Sequence, residues 1–151
     1  MSGAARRYII LAAILIVIVG GVFVFRDRLS GNAGDLAAGD CFDAPTLEGQ
    51  TVSDVQHHPC TEAHTGEVFA VLTNPAGSDA AYPDQTARIA FAGDQCAAPF
   101  LTYVGIAMDS SALDIRYFGP TSDGWGKGDR TFTCYVNTDP PVTTSIKGSK
   151  Q

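Results

Sequence analysis

Residues 57–64 read HHPCTEAH and hold all three histidines of the chain together with one of its four cysteines. Imidazole and thiolate are ligands that zinc favours, so Cys60, His64 and one of His57 or His58 could supply three positions of a tetrahedral site. A cysteine with a histidine nearby could also form a nucleophile and its base. Both chemistries need a thiolate, and a cysteine held in a disulfide has none. The segment therefore turns on the redox state of Cys60. If that sulfur is oxidised, what remains is the HTGE stretch, in which His64 and Glu67 form a polar contact that fixes the chain's entry into the strand that follows.

The glycine-rich run GPTSDGWGKGDR, residues 119–130, offers a second candidate. A phosphate cradle would require G-x-x-x-x-G-K-[ST] opening a helix, and here neither the spacing nor the following strand agrees. A turn with the single tryptophan, Trp125, packed over the fold accounts for the composition. An exposed Trp125 would instead be the first anchor to test for binding a partner. Neither a G-x-S-x-G elbow nor H-E-x-x-H occurs, and no pair of carboxylates is singled out by spacing as acid and base. The expectation is a protein that is not an enzyme and holds no cofactor and no metal.

These residues must be positioned in some compartment, and the start of the chain bears on which. Residues 8–25, YIILAAILIVIVGGVFVF, carry no charge over eighteen positions, close to the ~20 that span a bilayer as a helix. A cleavable signal would have a shorter apolar core and small residues at its end, whereas this run ends in VFVFRDR. A single-pass anchor is expected, with residues 1–7 cytoplasmic and 26–34 a linker. Basic residues flank both ends, Arg6 and Arg7 against Arg26 and Arg28, so charge alone does not orient it. Cys41, Cys60, Cys96 and Cys134 do: an even set without Cys-x-x-Cys spacing, in a small domain behind a membrane segment, favours two disulfides in an oxidising space. The domain from about residue 35 is thus expected outside the cell membrane. From residue 29 onward six basic residues face fifteen acidic ones, a formal charge of −9, which disfavours nucleic acid as a partner.

Within the exported part, GEVFAVLT at 66–73 is apolar on both faces and reads as a central, doubly covered strand. Residues 113–118 alternate, with Leu113, Ile115 and Tyr117 to one side. Residues 131–137 alternate too, with Phe132, Cys134 and Val136 together. TVSDVQ, residues 51–56, is a weaker fourth strand. Between 83 and about 104 the period becomes helical, with Ile89, Cys96, Ala97, Phe100 and Val104 on one stripe, interrupted by Gly93 and Pro99. A small antiparallel sheet packed against one amphipathic helix, an α+β two-layer sandwich, satisfies both apolar surfaces. Cys96 on the helix stripe and Cys134 on the strand face can then meet across the layers, which leaves Cys41 for Cys60.

Taken in order, GDCFD at 39–43, PCTEAHTGEVFAV at 59–71, the helical Cys96 and PTSDGWGKGDRTFTCYV at 120–136 resemble the septum formation domain of actinobacterial membrane proteins. The likeness covers residues 35–136 or so, with Ala63 where proline is expected. It implies an anchored extracytoplasmic domain, here 35–138, associated with septum formation or cell division. The polar end with its paired prolines, 139–151, reads as a flexible tail. The expected partner is a protein or another component of the cell envelope. The matching positions, among them His64, Glu67, Trp125, Asp129 and Arg130, suit structural or partner-contact roles. The alternative is an envelope sensor that binds metal or a small ligand through residues 57–64.

Overall fold

The structure, a computed structural model, describes residues 30–46 and 52–151. The expected anchor at 8–25 and the cytoplasmic stretch before it lie outside the described residues. No helix among the described residues is long and apolar enough to cross a membrane.

The chain runs β1 (Ser30–Asn32), β2 (Cys41–Phe42), β3 (Asp54–His58), β4 (His64–Thr73), α1 (Gln85–Val104), β5 (Asp114–Phe118), α2 (Ser122–Gly126) and β6 (Thr131–Val142), with short 3-10 turns at Ala33–Asp35 and Met108–Ser110. All six strands join one antiparallel sheet in the order β1-β3-β2-β4-β6-β5. The architecture is the expected α+β, with α1 packed on one face of the sheet.

β4 is central, and its unbroken apolar run has a specific cause. Val68 pairs with Tyr135 and Ala70 with Cys134, so Phe69 is an extra residue in a bulge. A bulge breaks the alternation and lets two successive side chains point one way. Phe69 and Ala70 accordingly both enter the helix-side core, where Phe69 meets Phe100 edge to face at 5.3 Å. Val68 points to the opposite face, beneath Phe42, Tyr135, Leu36 and Ala33. In the register of β2 with β4, Phe42 lies opposite Gly66. Its ring sits so close that a β-carbon there would fall 2.6 Å from it, and only glycine permits the approach.

The helix starts at the N-cap Asp84, whose carboxylate accepts from Ala87 N, and stops at Gly105 in the left-handed conformation. Pro99 and Gly93 do not divide it. The expected stripe is corrected at one position: Ile89 is half exposed, and Ala92, Cys96, Phe100 and Val104 form the buried row. Residues four apart advance about 40° around a helix, so such a row winds across it. By position 89 the line of contact has turned roughly a quarter circle from Ile89.

Two boundaries also differ from expectation. Residues 30–34 are not linker: β1 pairs with β3, and Asn32 caps the turn that buries Ala33. At the other end the expected boundary at 138 falls inside β6, which continues to Val142, and beyond it Ile146 is buried. Neither stretch has enough apolar residues to show a period; each is held by backbone pairing or by a single anchored side chain.

Candidate functional site

Two disulfides staple the layers. Cys96 on α1 is bonded to Cys134 on β6, and Cys41 on β2 to Cys60, which follows β3. No cysteine is free. Alternation places Cys96 and Cys134 on facing apolar surfaces, which is why their pairing was legible. The short β2, two residues long, gains a covalent tie to the segment that precedes β4.

His64 and Glu67 stand at the start of β4, both buried to within 2%. Glu67 is opposite Cys41 in the β2–β4 register, so the carboxylate lies beside the Cys41–Cys60 bridge. Its Oε1 accepts hydrogen bonds from the Tyr103 hydroxyl at 2.8 Å and the Ser145 hydroxyl at 2.6 Å, and its Oε2 accepts from Ile146 N at 2.8 Å. One carboxylate thus ties the central strand to the end of α1 and to the C-terminal segment. Burial and the bond to Glu67 push the Tyr103 hydroxyl's pKa well above its ordinary value.

His64 is oriented by its own backbone. Its Nδ1 is 2.8 Å from the carbonyl of Glu62; a carbonyl only accepts, so Nδ1 carries a proton. Nε2 then faces Glu67 Oε2 at 3.9 Å, too far for a hydrogen bond, and has no hydrogen-bond partner. The two residues are brought together, as HTGE suggested, but by their separate ties and not by a bond to each other.

The three histidines do not converge. His57 lies against Gly31 of β1. His58 Nε2 is 3.0 Å from Asp43 Oδ2, a charge-pairing distance at an angle that makes no hydrogen bond. Among the described residues the one group of three potential metal ligands within 4.8 Å is Cys41, His64 and Glu67. Its sulfur is in the disulfide and its carboxylate already accepts three bonds, so in the oxidised protein neither thiolate chemistry proposed for HHPCTEAH is possible.

Trp125 is buried, at 3% exposure, within the short helix α2. Its indole N–H donates to the carbonyl of Ala80 at 2.7 Å. The Arg130 guanidinium lies 3.8 Å from the Trp125 ring centroid, stacked on its face. That guanidinium donates to the carbonyls of Ala76, Gly77, Ser78, Trp125 and Asp129. Tyr82 also meets Trp125 edge to face and carries the Arg88 guanidinium at 4.7 Å. Asp129 does not pair with Arg130; its carboxylate accepts from Thr131 N and turns the chain into β6. The ladder pins the irregular segment 74–80 to the sheet.

Of the partner-contact candidates, His64, Glu67, Trp125 and Arg130 are all buried and have no surface to present; Asp129 alone is exposed. Their surroundings are those of structural residues. Tyr103, Ser145 and Ile146 complete the Glu67 site and went unremarked in the sequence, because they reach it across 36 to 79 positions and no local pattern marks them. A shallow cavity of about 520 Å³ is lined by Phe69, Ala98, Pro99, Thr102, Lys147 and Tyr103, the residue whose hydroxyl bonds Glu67.

Fold and site together define a small disulfide-stapled α+β domain whose chemistry-bearing side chains cross-link elements that little apolar surface holds. The septum formation family model matches residues 38–150, and the chain belongs to that family. No curated protein and no solved structure matches the chain.

Proposed function

We propose that the chain acts in cell division as a non-catalytic interaction domain, held outside the membrane by the apolar segment 8–25 with its N-terminus cytoplasmic. The family match over residues 38–150 carries this reading. Support for a binding role over catalysis comes from the commitment of every candidate nucleophile, the four cysteines in two bridges, and of Glu67, which is filled by three donors. Its partner is a protein or another component of the envelope. Imaging of a functional fluorescent fusion in dividing cells tests the reading, with enrichment at the septum expected; uniform envelope staining counts against it. Protease accessibility of the domain in intact cells, with its wall removed, tests the orientation separately.

One observation favours a second reading, a metal-responsive sensor: the Nε2 of His64 is buried and unpartnered, 3.9 Å from Glu67 Oε2. A zinc-dependent rise in melting temperature of the oxidised protein would support it, and no shift at millimolar zinc dismisses it.

A further inference from the structure

Among the described residues β5 ends the sheet: it pairs with β6 on one side, and no strand lies beyond it. At the opposite edge β1 follows directly on the N-terminal segment. An edge strand presents unpaired backbone donors and acceptors to any second strand of suitable pattern. The pattern of β5 narrows what that strand can be. Leu113, Ile115 and Tyr117 face the helix-side core, while Asp114 and Arg116 share the other face, where Arg116 Nε bonds Asp114 Oδ2 at 2.7 Å and both remain partly exposed.

Two copies that join edge to edge in antiparallel fashion are related by a two-fold axis normal to the sheet. Opposed residues then lie on the same face, and each register is named by the residue on the axis. With Asp114 or Arg116 on the axis, like charges oppose each other. With Tyr117 there, Arg116 faces the aromatic Phe118 of the second copy. With Ile115 on the axis, Asp114 faces Arg116 and Arg116 faces Asp114, while Ile115 meets Ile115 and Leu113 meets Tyr117. This register alone among the four sets opposite charge against opposite charge and apolar against apolar, the pairings that stabilise adjacent strands. We infer that β5 is a self-complementary edge through which two copies of this chain associate, centred on Ile115, into one continuous sheet with both α1 helices on the same side. Pairing brings Arg116 of each copy beside Asp114 of the other, whose Oδ2 also accepts from Asn137 Nδ2 at 3.1 Å within its own copy. The strand is short, bounded by Gly119 and Pro120, so the association is weak and reversible. The inference does not depend on a septal role.

The test uses the full chain in detergent micelles. Ile115→Cys adds one thiol to a chain whose own cysteines are all paired, and mild oxidation should trap a covalent dimer. Leu101→Cys, exposed on α1, serves as control, and the expected excess of dimer at position 115 is at least tenfold. Adding Arg116→Asp should cut the trapped fraction severalfold, and the double exchange Asp114→Arg with Arg116→Asp should restore it. Sedimentation of the same charge variants without the added cysteine covers the case in which Ile115→Cys fails to fold: dimer for the wild type, monomer for Arg116→Asp, dimer again for the double exchange. Equal trapping at 115 and 101, a monomeric wild type at high concentration, or a dimer indifferent to the charge reversals overturns the inference.

Discussion

Replacing Glu67 separates the two things a buried carboxylate supplies, an acceptor geometry and a charge. In Glu67→Ala three donors lose their partner. Ser145 is exposed and its hydroxyl turns to water at little cost, and the half-buried Tyr103 hydroxyl loses about 1 kcal/mol. The Ile146 N–H is buried and stranded, at about 2 kcal/mol, and removal of the side chain beneath the segment adds roughly 1 kcal/mol. The sum is about 4 kcal/mol, a large part of a small domain's stability. Glu67→Gln behaves differently. With its amide oxygen where Oε2 stood it still accepts from Ile146 N, and its amine donates to the hydroxyl oxygens of Tyr103 and Ser145, since hydroxyls accept as well as donate. Only the charge assistance is lost, about 1 kcal/mol.

Trp125, the one tryptophan and buried, reports unfolding in urea through its fluorescence. With a slope of roughly 1.5 kcal/mol per molar, the alanine variant should shift the midpoint down by about 2 to 3 M and the glutamine variant by less than 1 M. Equal, small shifts would show that the carboxylate does not organise these elements. Equal, large shifts would show that the charge itself is required and that the satisfiability reasoning is wrong.

Arg130→Lys keeps a cation but loses the planar fork that reaches five carbonyls and the stack on Trp125; a loss of about 2 to 3 kcal/mol in urea unfolding is expected, with new proteolytic cleavage within residues 74–80. Thiol titration of the denatured, unreduced chain should find none, and full reduction should lower stability by about 3 kcal/mol for the Cys41–Cys60 loop and about 4 kcal/mol for the longer Cys96–Cys134 loop. Two thiols in the unreduced protein would refute one of the two bridges, and four would refute both. Because the fold raises the Tyr103 pKa, the native state keeps a proton that the unfolded chain releases near pH 10. The stabilisation is therefore complete below that pH and declines as pH rises above it, up to the folded pKa. The stability gap between wild type and Tyr103→Phe should narrow above pH 10; parallel curves would contradict the assigned cause.

What the sequence made legible follows from how much pattern each element carries. β6 and α1 are long and amphipathic, and β5, though only five residues, alternates cleanly, so their faces could be read, and with them the meeting of Cys96 and Cys134. β4 was readable as central because it is apolar throughout, but not as bulged at Phe69, since a bulge depends on the partner strand's register. β1 and β2 have three and two residues, too few for any period. The C-terminal segment reads as polar and loose, yet Ile146 and the hydroxyl of Ser145 dock on a carboxylate 79 and 78 positions earlier. Glu67 was singled out by its neighbour His64, when its actual partners lay on other elements.

The residues that first suggest chemistry are the ones that hold weak elements in place. β2 has two residues and a disulfide; segment 74–80 has no regular structure and is gripped by Arg130; the C-terminal segment has one buried isoleucine and Glu67. An apolar core this small leaves such pieces short of contact area, and directed bonds from buried polar groups compensate. The consequence bears on where function resides. Substitutions at His64, Glu67, Trp125 or Arg130 should abolish activity in cells only in proportion to the folded protein lost. Charge reversal at Asp114 or Arg116, on the exposed edge, should impair activity while the amount of folded protein and its urea midpoint hold. If instead a buried variant such as Glu67→Gln keeps its stability and still loses function in cells, the carboxylate acts on something beyond the fold, and the cavity beside Tyr103 and Lys147 becomes the place to look.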